Sequence, residues 1–272
     1  MKLRIPLGRF DVVSFTGPDA IRFLNGQLTQ DVRKVAGGSC AAFSCVTDAK
    51  GRLQFRVTLT AETNGTILVG VEEGLGEALE ARLTRYLIAD DVEATIAPAA
   101  MEIHHFLGEA PPEMADIISR EISRFGESGW DWWVPAGVPA EPPTGYQSCE
   151  GDAYQTFRIT RRIPTWGAEI TEGILPPEAR LEPSDISYQK GCYIGQEVIS
   201  RIKSAGKVNR LLAQFEITGA NASPGPITGP DGKEAGIVTS IAPSSPCLAL
   251  GFLKRNAPLD ALHLGEASVR VI

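Results

Sequence analysis

Apolar residues alternate or recur at helical spacing along the first 100 residues, and the two patterns predict different elements. Apolar residues at helical spacing predict one helix that begins near Pro18 and a second that covers residues 75–87. Strand-like runs cover residues 10–16, 39–47, 52–60, 66–71 and 92–96. A hairpin turn is predicted at residues 48–51, where glycine is available for a positive φ angle. This order of elements predicts an α+β domain with helices on one face of an antiparallel sheet.

The pattern is less regular over residues 107–148, which are rich in proline and tryptophan. Trp130, Trp132 and Trp133 predict a satellite core or a lobe interface. A boundary is predicted near residue 150. Beyond Arg210, short strand-like runs alternate with Gly/Pro turns, which is typical of a small β-barrel. These runs cover residues 211–217, 235–241 and 248–253.

Composition limits the classes of protein to which the chain can belong. A formal net charge of -7 argues against direct binding to a nucleic-acid backbone. No run of 18 apolar residues occurs, so no membrane span is expected. The five cysteines form an odd set without a Cys-x-x-Cys pair, which is typical of a reduced compartment. We therefore expect a cytoplasmic protein, and a monomer.

Cysteines and histidines do not form a recognisable metal-binding pattern. Cys40 and Cys45 lie on one predicted strand at an odd separation, so their side chains should point to opposite faces. His104 and His105 are adjacent, and adjacent side chains on a strand diverge. No metal site is predicted.

The sequence Lys-Gly-Cys-Tyr-Ile-Gly-Gln-Glu, at residues 190–197, concentrates several kinds of reactive group. Two glycines predict a tight turn, and helical spacing predicts a helix over residues 196–203. Cys192 would then lie just before the helix N-terminus, where free amide donors favour a thiolate, and Lys190 would add positive charge. The alternative is that Cys192 is a small buried apolar residue, as most lone cysteines are.

Residues 190–197 resemble the signature of the YgfZ-type folate-binding proteins. These are relatives of the glycine-cleavage aminomethyltransferase (T-protein) that act in iron–sulfur cluster assembly and maintenance. Residues 17–32 resemble the opening helix of that superfamily, and residues 157–164 resemble its arginine–isoleucine strand and its Ile-Pro element. Residues 175–178 are similar to its Pro-x-Glu segment.

The resemblance implies an aminomethyltransferase-like α+β fold with two α+β lobes and a C-terminal small β-barrel around a folate-sized cavity. It implies a folate-binding region over residues 1–205, with lobe boundaries near residues 58 and 150. The barrel would occupy residues 206–272.

Tetrahydrofolate or a one-carbon derivative is the ligand that the resemblance implies. The implied partners are iron–sulfur assembly proteins or client enzymes, tRNA-modifying enzymes among them. Cys192 would supply a functional thiol, while Glu197 would bind the pterin and Tyr193 would cover its face. Arg158 and Arg201 would meet the anionic folate tail. The other residues that the resemblance assigns to the ligand or its motif are Lys190, Gly191, Gly195, Gln196 and Asn25.

Three positions depart from the superfamily pattern. Arg162 replaces a glycine that is often found there, and Thr160 stands where the aminomethyltransferases use a carboxylate to hold the pterin. Gln54 aligns near their aspartate, and a glutamine cannot ionise or take a proton. A folate-dependent aminomethyl or one-carbon transferase is therefore the less favoured alternative. A third hypothesis is a folate-gated scaffold that docks a cluster-bearing client, and the sequence does not separate it from a catalytic thiol.

Overall fold

A computed structural model describes residues 2–219 and 222–272, and the chain divides into two compact units. The first unit runs to Cys149 and also contains Pro183–Gln196, and the second contains Glu150–Glu182 and Glu197–Ile272. The domain limits near 58, 150 and 205 stay a prediction. No helix in the described residues is long and apolar enough to cross a membrane.

The first unit is built around one nine-stranded sheet. Its elements are β1 (Leu3–Thr16), α1 (Ala20–Gln27), β2 (Ala42–Thr47), β3 (Leu53–Ala61), β4 (Ile67–Glu72), α2 (Gly76–Thr84), β5 (Glu93–Ile96), β6 (Met101–Leu107), β7 (Ile118–Ile122), β8 (Gly129–Val134) and β9 (Gln147–Ser148). The strand order is β2-β3-β4-β1-β6-β8-β7, and β5 and β9 also pair with β1. The strands and helices predicted over residues 10–96 are confirmed, but β1 begins at Leu3 instead of residue 10, and the other ends differ by a few residues.

The main core of the first unit joins the sheet to α1 and α2. Leu24 of α1 and Leu79 of α2 are fully buried, and they belong to one cluster with Val13 and Phe15 of β1. Each such side chain contributes roughly 1.5–3 kcal/mol by leaving water. This packing holds the ends of α1 and α2 in fixed positions on the sheet.

Residues 107–148 are more regular than predicted, because they contain the paired strands β7 and β8. Trp132 and Trp133 are each 1% exposed, so β8 is buried on both faces and lacks the alternation that reveals a strand. Trp132 contacts Phe106 at a ring-centroid distance of 4.8 Å. The predicted satellite core is confirmed for these two tryptophans.

The second unit contains a closed six-stranded barrel in the order β10-β13-β12-β11-β14-β15. Its strands are β10 (Arg210–Thr218), β11 (Gly225–Thr228), β12 (Glu234–Ile241), β13 (Cys247–Lys254), β14 (Leu262–Leu264) and β15 (Ala267–Val271). Phe215, Ile227 and Ala249 are fully buried in its core. Both the predicted C-terminal barrel and the α+β class are confirmed.

Residues 157–160 were predicted as a strand, and this prediction is wrong. They form the end of helix α3 (Gly151–Thr160), which is followed by α4 (Glu182–Asp185) and α5 (Gln196–Ala205). Arg158 donates from Nε to Oε1 of Gln155 at 2.8 Å. Residues three apart lie on the same face of a helix, whereas on a strand they point to opposite faces. Ile159 packs against Leu250 in the second unit. The helical prediction for residues 196–203 is confirmed by α5.

Candidate functional site

Most of the 190–197 motif lies in residues 183–196, here called the return segment, which belongs to the first unit and packs on the rest of it. Its start is fixed by Asp185, which is fully buried and forms a two-point ion pair with Arg56 of β3. The distances are 2.7 Å from Nε to Oδ2 and 3.1 Å from Nη2 to Oδ1. The Arg56 guanidinium also lies 4.0 Å from the centre of the Phe43 ring. Loss of either charge would leave the other buried and uncompensated.

Lys190 fixes the middle of the return segment. Its ammonium donates to the backbone oxygens of Asn25 at 2.7 Å, Leu28 at 2.6 Å and Gln30 at 3.0 Å. These carbonyls lie at and just beyond the C-terminal end of α1, where a positive charge is favourable. Burial lowers the pKa of Lys190 to about 8, and the neighbouring Asp31 carboxylate offsets only part of that shift. All three ammonium donors are used, so Lys190 clamps the loop after α1.

Backbone hydrogen bonds complete the attachment to the loop after α1. Ser187 donates its amide to the oxygen of Thr29 at 3.0 Å, and Ile194 donates to Gly26 at 3.3 Å. The Thr29 hydroxyl in turn donates to the Asp185 oxygen at 2.6 Å. The return segment is therefore attached to the first unit along its length.

Gly195 brings the motif against the β2–β3 hairpin. Its φ angle is +86°, and an added Cβ would lie 2.6 Å from the Asp48 oxygen, so only glycine fits without displacement. The Thr47 hydroxyl donates to the neighbouring Ile194 oxygen at 2.6 Å. The hairpin predicted from residues 48–51 thus supports the motif directly.

Cys192 is the exposed cysteine of the five, since Cys45 and Cys149 are buried and the other two are partly buried. Burial raises the pKa of the Cys45 thiol well above its usual range. Next to Cys192, an added Cβ on Gly191 would meet no atom within 4 Å. Cys192 lies before the N-terminus of α5 as predicted, with residues 193–195 between the cysteine and the first helical residue. The thiol is accessible on a firmly attached loop.

Tyr193 and Asn25 are used inside the first unit. Tyr193 is 7% exposed, its hydroxyl oxygen has no hydrogen-bond partner in the described residues, and burial raises its pKa. The Lys190 ammonium lies 5.2 Å from the centre of its ring. Asn25 accepts the Val32 amide at 3.0 Å through Oδ1. The Tyr193 side chain is buried and the Asn25 oxygen is already bonded, and the assignment of both residues to folate stays a prediction.

The C-terminal part of the motif begins α5. Gln196 is its first residue, and its amide donates to the Tyr193 oxygen at 3.2 Å. Glu197 and Arg201 form the predicted pair, with Nη2 and Oε1 2.6 Å apart. Their side chains are 84% and 72% exposed, so the pair contributes little to stability and both groups are accessible to a ligand.

Arg158, by contrast, is committed to the second unit. Its side chain is 2% exposed, Nη1 lies 3.0 Å from Oε2 of the fully buried Glu169, and Nη2 donates to the Ser240 hydroxyl at 2.7 Å. The structure therefore gives Arg158 a role in joining α3 to the barrel.

Arg162 adopts a φ angle of +60°, which explains why glycine suits that position. Its Nε donates to Oε1 of Gln214 at 2.9 Å.

Arg82 of α2 organises a polar cluster that the sequence did not reveal. Its Nε donates to Oε1 of Gln54 at 2.5 Å, and its Nη1 donates to Oε1 of Gln27 at 3.1 Å. Its Nη2 donates to the Thr47 backbone oxygen at 2.8 Å. Burial lowers the pKa of Arg82. Thr47 also binds Ile194, so this polar cluster lies close to the motif. In the sequence, the only indication of the cluster was the presence of the charged Arg82 on the helix predicted over residues 75–87.

The histidines do not form a metal centre. Nδ1 of His105 is 2.8 Å from Oδ1 of Asp131, and both residues are fully buried. Arg124 holds the same carboxylate at 2.6 Å. No group of three His, Cys, Asp or Glu side chains in residues 2–219 and 222–272 is placed to hold a metal ion.

No family model matches the chain, but individual proteins do. It is 24% identical over 276 residues to an aminomethyltransferase of Shouchella clausii, across 88% of this chain and 75% of that protein. It is 25% identical over 236 residues to a mitochondrial iron–sulfur cluster assembly factor, an IBA57 homolog of Phaeosphaeria nodorum, across 80% of this chain but only 57% of that protein. It is also 25% identical over 232 residues to the tRNA-modifying protein YgfZ of Pectobacterium carotovorum, across 76% of this chain and 68% of that protein.

The fold agrees with these similarities. The glycine cleavage system aminomethyltransferase T of Bartonella henselae superposes with a TM-score of 0.79 at 13% identity, covering 100% of this chain and 84% of that chain. The chain is thus similar to YgfZ and IBA57 proteins and to aminomethyltransferases of the T-protein superfamily, which agrees with the resemblance seen in the motif. The superposition confirms the predicted aminomethyltransferase-like fold.

This chain carries the Cys192 motif on a firmly attached loop. At the two positions where the resemblance expects carboxylates, it has neutral side chains. Gln54 is bound to Arg82, and Thr160 is exposed at the end of α3.

Proposed function

We propose that the protein binds a reduced folate and acts through Cys192 in the assembly or maintenance of iron–sulfur clusters in client proteins. Tetrahydrofolate or a one-carbon derivative is the proposed ligand, and tRNA-modifying enzymes are among the proposed clients. The observation that carries the proposal is the exposed Cys192 thiol beside open space at Gly191, on a segment attached by a buried ammonium and a buried carboxylate. The relatives that carry the assembly-factor and YgfZ names support it.

The chemistry of the loop suits this role. A thiolate is both a nucleophile and a ligand for iron or sulfur, and it must be accessible to meet a partner protein. A loop with few competing conformations presents that thiol at little entropic cost. Gly191 leaves room for the partner or ligand to approach.

The folate contacts that we propose come from exposed groups. The Glu197 carboxylate suits the adjacent N–H donors of a pterin, and the Arg201 guanidinium suits an anionic tail. Gln196 and Gly195 support this end of the motif. Lys190, Asn25 and Arg158 act within the protein, so the folate proposal does not depend on their side chains. The cytoplasmic location and the monomeric state stay predictions.

A second candidate is a folate-dependent aminomethyl transferase, which the aminomethyltransferase relative favours. That chemistry needs a group that stabilises a developing positive charge or takes a proton. Gln54 is neutral and is tied to the Arg82 cation, so it does neither. We therefore place this candidate second.

Calorimetric titration with tetrahydrofolate tests the folate half of the proposal. We expect saturable binding by the wild type and by Cys192→Ser, because the thiol acts on the client and not in folate affinity. Charge reversal at Arg201→Glu should weaken binding, and Arg255→Glu, at an exposed arginine just after β13 of the barrel, serves as the matched control. Absence of saturable binding at high micromolar folate would contradict the assignment.

A further inference from the structure

The loop between α2 and β5 presents large apolar side chains to solvent. Tyr86 is 45% exposed and Ile88 is 91% exposed, so nearly the whole Ile88 side chain lies in water. Ala89, the next residue, is exposed as well. Single exposed apolar residues are ordinary on a protein surface, whereas a group of them on one loop is typical of a surface that binds another molecule.

This loop is attached to the first unit on both sides of Ile88. On one side, Leu87 packs against the main core, and its amide donates to the Thr84 oxygen at 2.8 Å. On the other side, the Asp91 amide donates to Oδ2 of Asp19 at 3.0 Å, and the Asp91 oxygen accepts the Asp19 amide at 3.4 Å. A partner that covers Ile88 therefore has little ordering of the loop to offset.

Two guanidinium groups lie beside the exposed apolar residues without a carboxylate to neutralise them. The Arg82 guanidinium is 5.2 Å from the centre of the Tyr86 ring. Burial lowers the pKa of Arg82, and the nearby positive charge of Arg85 adds to that shift, whereas Asp48 opposes it. In the part of the chain that the structure describes, neither arginine forms an ion pair, and the side-chain hydrogen bonds of Arg82 go to neutral oxygens.

The same surface is joined to the return segment by two hydrogen bonds. Arg82 donates from Nη2 to the Thr47 backbone oxygen at 2.8 Å, and the Thr47 hydroxyl donates to the Ile194 oxygen at 2.6 Å. Ile194 is two residues from Cys192, and all of these residues belong to the first unit. A protein bound on the loop is therefore close to the segment that carries the exposed thiol.

Charge and apolar character together define the partner. Carboxylates suit two guanidinium groups that have no carboxylate of their own, and apolar side chains suit Tyr86 and Ile88. A nucleic-acid backbone is less suitable, because the chain has a net charge of -7 and Ile88 offers nothing to a phosphate.

We propose that Arg82, Arg85, Tyr86 and Ile88 form a docking surface for a protein segment that combines acidic and apolar side chains. That segment belongs to the iron–sulfur client or assembly protein that meets Cys192. The inference deepens the proposed function and rests on it for the identity of the partner.

A photoreactive phenylalanine analogue at position 88 of the full chain tests the surface in cells, because so exposed a side chain is replaced without loss of the fold. We expect cross-links to a protein segment in which acidic residues neighbour apolar ones. Arg85→Glu should lower the yield at least about tenfold, whereas Arg85→Lys keeps the charge and should retain most of it. The same analogue at Leu259, which is 66% exposed on a loop of the barrel, is the control and should give no such product.

The absence of protein cross-links at position 88, or cross-links to nucleic acid or to basic protein segments, would overturn the inference. So would an equal yield from position 259, or an unchanged yield in Arg85→Glu. Each of these results concerns the surface itself and leaves the role of Cys192 untouched.

A second readout is the activity of an iron–sulfur enzyme in cells that lack their own YgfZ-type protein. At equal abundance, Ile88→Ser combined with Arg85→Glu should restore at least about fivefold less activity than the wild type. The matched pair Leu259→Ser with Arg255→Glu should restore it fully. Full restoration by the first pair, while Cys192→Ser restores none, would overturn the docking surface and leave the proposed function standing. If Cys192→Ser restores the activity fully, the proposed function fails, whereas acidic and apolar cross-links that are lost in Arg85→Glu would still support the surface.

Discussion

Replacement of Lys190 by methionine removes the buried ammonium and keeps most of the side-chain volume. In the wild type, that ammonium satisfies three backbone carbonyls at 2.6–3.0 Å. Methionine offers no donor, so the carbonyls of Asn25, Leu28 and Gln30 lose this partner. We expect the loop after α1 and the return segment to loosen together.

The magnitude follows from two opposing contributions. Three carbonyls that lose a buried partner cost about 1–2 kcal/mol each, or about 3–6 kcal/mol together. Methionine avoids the cost of burying a charge, and the drop in the Lys190 pKa from 10.5 to about 8 corresponds to about 3 kcal/mol. The expected net loss in the free energy of unfolding is therefore at most about 3 kcal/mol near neutral pH.

The pH dependence gives this prediction a definite sign. Because the folded-state pKa of Lys190 lies below the unfolded value, the unfolded chain binds more protons between pH 8 and pH 10.5. The wild type should therefore gain stability relative to Lys190→Met as pH rises through that window, and lose it again as pH falls to 8. From about pH 7 to about pH 9.5 the expected gain is about 2 kcal/mol.

Hydrogen exchange and urea denaturation measure these effects. Amides of Ser187 and Ile194, which bond to the loop after α1, should exchange faster in Lys190→Met, whereas amides of the barrel should not change. Lys50→Met, at an exposed turn, is the matched control and should be neutral. Unchanged exchange at residues 187 and 194, together with unchanged stability at neutral pH, would refute the clamp.

Three other predictions concern the motif and its hairpin. Gly195→Ala should destabilise the protein by at least about 2 kcal/mol, because the new Cβ would clash and the residue has a positive φ angle. Gly191→Ala, measured in the same thermal denaturation experiment, should change stability by less than about 0.5 kcal/mol. In pulsed alkylation read by mass spectrometry, Cys192 should react well before the buried Cys45; equal rates would contradict its accessibility. In a reconstituted glycine-cleavage assay the protein should show no aminomethyl transfer, and Gln54→Asp alone should not create it; turnover by the wild type would contradict this.

The sequence predicted the features that depend on neighbouring residues. Periodicity located the hairpin at residues 48–51, the helix that begins at Gln196 and the Gly/Pro-punctuated barrel strands, because each reflects spacing within a few residues. The motif alone indicated the superfamily. It did not indicate that its lysine is buried.

Features that depend on distant residues were not predictable in the same way. Lys190 meets carbonyls about 160 positions earlier, and Asp185 pairs with Arg56 across 129 positions. The sequence does not show whether a charged side chain is exposed to solvent or buried in an ion pair. Arg158 was therefore assigned to folate, although it is buried beside Glu169. The strand expected there came from the family resemblance of residues 157–164, and the structure instead has Phe157–Thr160 in the last turns of α3.

We propose that Cys192 acts in iron–sulfur cluster maintenance rather than in folding. The direct measurement is the activity of an iron–sulfur enzyme in cells that lack their own YgfZ-type protein and carry this protein or Cys192→Ser at equal abundance. We predict that the wild type restores the activity and that Cys192→Ser does not, although its thermal midpoint is nearly unchanged because the exposed thiol contributes little packing. Equal restoration by the serine variant would contradict the account.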